Sequence, residues 1–138
     1  MTITGSNGVT DAATDAESTL ANLYTKVPLL RGSLIASVDG RGLVADLDDE
    51  RRGAAAAVIA SGFALGGKLA EVIGKSPVAE MTVSTNDGTV SLYAIGDLGV
   101  LAVMTMPDTN LGMLHIQARA AAETLAPLIP DLIAQKKQ

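Results

Sequence analysis

Apolar positions in this chain fall into blocks of two periods. Leu20, Leu23, Tyr24 and Val27 recur at i, i+3, i+4 and i+7, which predicts an amphipathic helix stopped by Pro28. Thr14 and Glu17 have the spacing of a reciprocal capping box and put the helix start there. Residues 29–38 read as a strand and 43–46 as its short return. The turn between them is Asp39-Gly40 or Arg41-Gly42, because glycine takes positive φ without strain. Asp48 and Asp49 suit the electropositive start of a second helix, which runs from near Arg51 to Ile73 and stops at Gly74, with Pro77 soon after. Residues 78–85, 89–95 and 100–106 predict three further strands, turned at Asn86-Asp87-Gly88 and at 96–99; the last is apolar enough to be central. Pro107 to Asn110 opens a final helix carrying Leu111, Leu114, Ala118, Ala121 and Leu125, bent or ended by Pro127 and Pro130.

The predicted order is helix, two strands, helix, three strands, helix. Hairpin links this short cannot make parallel crossovers, so the expected fold is a single α/β domain with a five-stranded, mainly antiparallel sheet and helices packed on it. Residues 1–12 are expected to be a flexible tail, 13–134 the domain and 135–138 a solvated end.

The middle helix has more apolar surface than one core requires. Ser61, Lys68, Glu71 and Lys75 share one sector, while Ala55, Val58, Ile59, Gly62, Phe63, Leu65, Gly66, Leu69, Ala70 and Ile73 occupy well over half the circumference. A helix on a sheet needs an apolar stripe of only about 100°. The surplus is expected to meet the same helix of a second copy in a two-fold contact, with Gly62 and Gly66, one turn apart, admitting a close backbone approach. The alternative is a helix covered by the first and last helices of its own chain.

Composition narrows the chemistry. In 138 residues there is no Cys and one His, which excludes disulfides, thiolate chemistry and multi-histidine metal sites. Ten basic against 15 acidic residues and 2% aromatics argue against nucleic acid. The first nine residues lack the pattern of a secretory signal. The uncharged stretch 53–67 would reach about 22 Å as a helix, short of a ~30 Å hydrocarbon core, so no membrane partner and a soluble cytoplasmic protein are expected.

Several motifs almost match. Gly62 to Lys68 follows the phosphate-loop pattern, but Leu69 stands where a hydroxyl must hold a magnesium ion, and the segment lies within a predicted helix whose N–H groups are already used. Gly40-Arg41-Gly42 resembles a dinucleotide turn but precedes a strand, where pyrophosphate binding needs a helix N-terminus. The acidic run 46–50 lacks the mid-loop glycine and distal glutamate of a calcium loop. His115, at the edge of the last helix's apolar stripe, reads as a partly buried structural histidine, with pH sensing as the other option. No catalytic residue, metal site or cofactor is expected.

The element order, the segment Leu34 to Gly40 in the first hairpin, Met106 to Gly112 before the last helix, the Ala-rich middle helix and the turns at Asp87-Gly88 and Ile95-Gly96 together resemble the Roadblock / dynein light-chain family over about residues 15–130. The resemblance implies homodimers or heterodimers in which the third strands pair into one continuous sheet and the middle helices meet on one face. That makes residues 78–85 the candidate dimer strand. The implied interface comprises Ala55, Val58, Ile59, Gly62, Gly66 and Leu69 of the helix with Val78, Met81 and Val83 of the strand.

Members of the family bind Ras-like small GTPases as activators, co-activators or scaffolds; bacterial members act in polarity and motility, eukaryotic ones as dynein or signalling adaptors. The implied function is a non-enzymatic dimeric regulator or scaffold for a small GTPase, contacting it through Arg51, Arg52, Lys68 and Lys75, whose alternative role is ordinary solvated charge. A structural adaptor without GTPase dependence and a small-molecule sensor remain the competing readings.

Overall fold

The computed structural model describes residues 8–46, 49–74 and 77–136. Its elements are α1 (Gly8–Lys26), β1 (Leu30–Ser37), β2 (Gly42–Ala45), α2 (Asp49–Ile73), β3 (Glu80–Thr85), β4 (Gly88–Ile95), β5 (Gly99–Thr105), α3 (Leu111–Leu125) and, after a 3-10 turn at Ala126–Leu128, α4 (Ile129–Lys136). The strands form one antiparallel sheet in the order β2-β1-β5-β4-β3, so the apolar strand β5 is central as predicted.

The first helix begins at Gly8, not at Thr14. Thr14 and Glu17 therefore lie inside it rather than capping it, and residues 8–12 are helix rather than tail, with Ala12 and Ala16 buried. Local capping chemistry lost to tertiary burial of the preceding turn. Pro28 ends the helix as expected, and Leu29 takes a left-handed φ of 74° while its carbonyl accepts from the Met106 N–H at 3.0 Å, joining the start of β1 to the end of β5. The first hairpin turns at Asp39-Gly40, with Gly42 already in β2. There the Ser37 hydroxyl donates to Asp39 and, with Arg41 close by, holds that carboxyl below its ordinary range. The expected cap Asp48 lies outside the described residues. The dimer-strand candidate begins at Glu80, so Val78 precedes it. Asn110 caps α3 by accepting from the Met113 N–H at 3.0 Å, and Pro127 marks the break before α4.

The sheet has two unequal cores. On one face α1, α3 and α4 bury Leu20, Leu23, Ile35, Tyr93, Leu101, Val103, Leu114 and Leu125. On the other, α2 covers a smaller cluster of Leu34, Ala36, Leu92, Val100 and Ala102. At 25 residues α2 outruns the stretch 53–67, and Arg51–Ile73 is long and apolar enough to cross a membrane by length and composition, which corrects the sequence expectation. Ala56 and Ala60 on its inner side are nevertheless seated on the sheet.

Two positions expose the constraints. Gly88 adopts φ +140°, and a Cβ there would lie 2.2 Å from the Thr105 carbonyl oxygen. Gly88→Ala should cost about 2–4 kcal/mol, combining strain with displaced sheet pairing, measured by denaturant unfolding. Tyr93 is buried between β4 and α3, and burial pushes its phenol up to about 12. An unfolded phenol ionises near pH 10. Its neutral form is thus favoured by folding: the contribution is complete below about pH 10 and lost as pH rises towards 12. Stability should fall across that window, and less steeply in Tyr93→Phe.

Candidate interaction surface on α2 and the β3 edge

α2 is seated by alanines with Ile59 and Phe63, and most of its other large apolar residues face outward. Ala55, Ala56, Ile59 and Phe63 lie against the Leu34–Ala102 cluster. On the opposite side Val58, Leu65, Leu69, Val72 and Ile73 are between 63% and 89% exposed. These five, with Gly62, follow spacings of three, four and seven and so form one continuous stripe. Among the implied interface residues, Val58 and Leu69 lie on this uncovered side, and a Cβ at Gly62 would meet nothing within 4 Å. Ala55 and Ile59 face the chain's own sheet.

Gly66 departs from expectation. A Cβ there would sit 2.5 Å from Met81 Sδ and 3.9 Å from Val78 Cγ2, so its close approach is to its own chain and not to another helix. Four residues along a helix rotate the side-chain direction by about 40°, which turns Gly66 away from Gly62 and down onto the β3 side of the sheet. Val78 and Met81 are correspondingly half-buried beneath α2.

Beyond α2 one row of the sheet is left open. The pairings Gly32↔Met104, Val90↔Met104 and Val83↔Val90 put these four side-chain positions in line across β1, β5, β4 and β3. Val83 is 52% exposed at its edge end. A groove runs beside this row, lined also by Arg31, Asp46, Arg51 and Asp87. Of the candidate GTPase contacts, Arg51 and Arg52 lie at the start of α2 and Lys68 well along it. Arg51 is exposed at the groove, while Arg52 lays its stem against Gly42, where a Cβ would approach its Cγ to 2.6 Å. Lys68 is exposed further along α2, and Lys75 lies outside the described residues.

β3 is tied to α3 by a polar cluster that sequence reasoning missed. Arg119 donates from Nε at 2.8 Å and from Nη2 at 2.6 Å to Glu80 Oε1. His115 Nδ1 lies 2.7 Å from the Tyr93 hydroxyl and 3.3 Å from Glu80 Oε2, so the sole histidine is half-buried within a network. Glu80 and Arg119 are 39 residues apart, and no local pattern signals the pair. Among the described residues no three His, Cys, Asp or Glu side chains come together to hold a metal. The phosphate-loop-like segment is interior to α2, and Gly40-Arg41-Gly42 leads into β2, so neither has the backbone context its motif needs.

Residues 17–105 match the family model described as the Roadblock/LC7 domain. No curated protein matches the sequence. Among solved structures, a Roadblock/LC7 domain from Streptomyces avermitilis superposes with a TM-score of 0.75 at 19% identity, covering 79% of this chain and 92% of that one. An MglB described in a tetrameric arrangement gives 0.79 at 18%, covering 88% and 92%. The gliding protein MglB of Thermus thermophilus gives 0.76 at 17%, covering 85% and 90%. At such identities the likeness is one of fold. The family match spans well over half of the sequence, and this chain belongs to the Roadblock/LC7 family.

Proposed function

We propose that this protein is a non-catalytic regulator or scaffold that works as a dimer on a Ras-like small GTPase. The observation that carries the reading is the apolar stripe of α2, left uncovered beside the edge strand β3. Fully burying a Val, Leu or Ile side chain is worth roughly 1.5–3 kcal/mol, so covering five of them offsets much of the cost of association. A second copy supplies an identical stripe in an isologous contact. In this reading Val58, Gly62 and Leu69 meet their counterparts across the two-fold, and Val83 lies where the two β3 strands pair. Ala55, Ile59, Gly66, Val78 and Met81 support that surface from behind.

Self-association occurs within this fold in the MglB described as tetrameric. The GTPase partner rests on the family resemblance. Arg51 and Lys68 are the exposed cations assigned to it, with Arg52 and Lys75 the remaining candidates. The protein acts by binding one nucleotide state of its partner more tightly than the other, since only differential affinity shifts a conformational equilibrium. A cytoplasmic location accompanies this reading.

Light scattering at micromolar concentration should give the mass of two chains, and Leu65→Asp with Leu69→Asp should give that of one with the helical content unchanged. A wild-type mass of one chain overturns the dimer. Against a small GTPase encoded beside this gene, co-elution should favour the GTP-loaded form by at least about tenfold, equivalent to about 1.4 kcal/mol, and the GTP turnover rate should change. Equal binding to both forms with unchanged turnover would replace the regulator with an adaptor.

A further inference from the structure

On the sheet face opposite α2, a cavity of about 430 Å³ opens between α1 and the edge strand β2. Its α1 wall presents Glu17, Leu20 and Tyr24, which share one side of the helix at spacings of three, four and seven. Its sheet wall presents Ser33, Val44 and Asp46. Leu20 and Val44 are buried and make an apolar floor. The two carboxylates stand at opposite ends. Asp46 is held beside Tyr24, whose hydroxyl donates to Asp46 Oδ2 at 2.5 Å, whereas Glu17 lies seven residues earlier on α1, about 10 Å along the helix axis.

Ser33 adds an independent observation. It neighbours Asp46 across the β1–β2 ladder, where the Asp46 N–H donates to the Ser33 carbonyl at 3.1 Å. Its side chain is fully buried, lines the cavity and sits beside the Tyr24 phenol, and its Oγ accepts no hydrogen bond among the described residues. A buried hydroxyl oxygen with no donor is unfavourable, so a ligand that supplies one gains from it. Burial and the neighbouring Asp46 raise the Tyr24 phenol to about 12, with the Ser33 hydroxyl partly opposing, so Tyr24 stays a neutral donor committed to Asp46. An incoming ligand must then bring its own donors.

We infer that this cavity is a binding site for a linear aliphatic diamine, with one terminal ammonium held by Asp46 and Ser33 Oγ, the hydrocarbon lying on Leu20 and Val44, and the other ammonium reaching Glu17. A primary ammonium has three donors and no acceptor, which suits a carboxylate and a hydroxyl oxygen that lacks a donor. The separation of the carboxylates selects for length, and the apolar floor selects against a hydrated metal ion. Most of the site lies across the sheet from the surface assigned to the dimer and the GTPase; Asp46, at the rim, also lines the groove beside Arg51.

Calorimetric titration of the wild-type protein with 1,8-diaminooctane, putrescine and octylamine tests this. 1,8-Diaminooctane, whose two ammonium groups span the groove when extended, should bind at least about tenfold more tightly than putrescine, which has the same charge but is too short, or octylamine, which has one charge; tenfold is about 1.4 kcal/mol. Ser33→Ala should weaken 1,8-diaminooctane about tenfold, the scale of a hydrogen bond to a charged group. Glu17→Gln, at the exposed rim, should bring 1,8-diaminooctane down to the affinity of octylamine without changing the melting temperature, and it carries the test if Ser33→Ala misfolds. Absence of binding at millimolar 1,8-diaminooctane overturns the proposal. So does binding that is equal for putrescine and unchanged in Glu17→Gln, which would be general attraction to a chain of net charge −5.

Discussion

A helix lying on a sheet buries its largest apolar side chains first, because each removes the most surface from water. α2 follows that order only at Ile59 and Phe63. Ala55, Ala56 and Ala60 bring it close to the sheet and Gly66 lets it drop onto Met81, while Val58, Leu65, Leu69, Val72 and Ile73 point to the outside. Small residues inside permit a short helix-to-sheet distance. Large residues outside have no role in folding the subunit and contribute only when something else covers them. The distribution makes sense for a helix with two partners, its own sheet on one side and a second apolar surface on the other.

The two sheet edges differ in the same sense. β2 is four residues long and its pairing with β1 is interrupted by an irregularity between Ile35 and Ala36, both of which blunt an edge against further pairing. β3 pairs regularly with β4 over all six residues and carries a single charge, Glu80. That charge is turned inward to Arg119 and His115, so it steadies the strand without guarding it. Thr82 and Ser84 on one face and Val83 and Thr85 on the other are all exposed, leaving a straight and accessible edge.

Most of the fold is legible in the sequence because its signals are local. Two-period patterning locates the five strands and the main helices; Asp39-Gly40 and Asn86-Asp87-Gly88 mark real turns, and the apolar run of β5 marks the central strand. The departures share a cause in contacts distant along the chain. A capping box is a local pattern and puts the start of α1 at Thr14, whereas the turn before it, with Ala12, is drawn into helix by burial under other elements. Spacing alone pairs Gly66 with Gly62, although the short rotation between them is enough to send the two glycines to different neighbours. Glu80 and Arg119, and the groove formed by Glu17 with Asp46, depend on the packing of α3 and α1 onto the sheet, which no stretch of sequence encodes by itself.

The two faces of the sheet divide the work of the molecule. The face under α1, α3 and α4 holds the larger core, with Tyr93, Leu101, Leu114 and Leu125 all buried, and supplies most of the cohesion of the subunit. The α2 face holds a thin core of alanines with a few larger side chains, and beyond it an open row from Gly32 to Val83. Substitutions on the outer side of α2 therefore leave the main core intact and change what the surface can bind, whereas substitutions under α3 unfold the chain before they alter any surface.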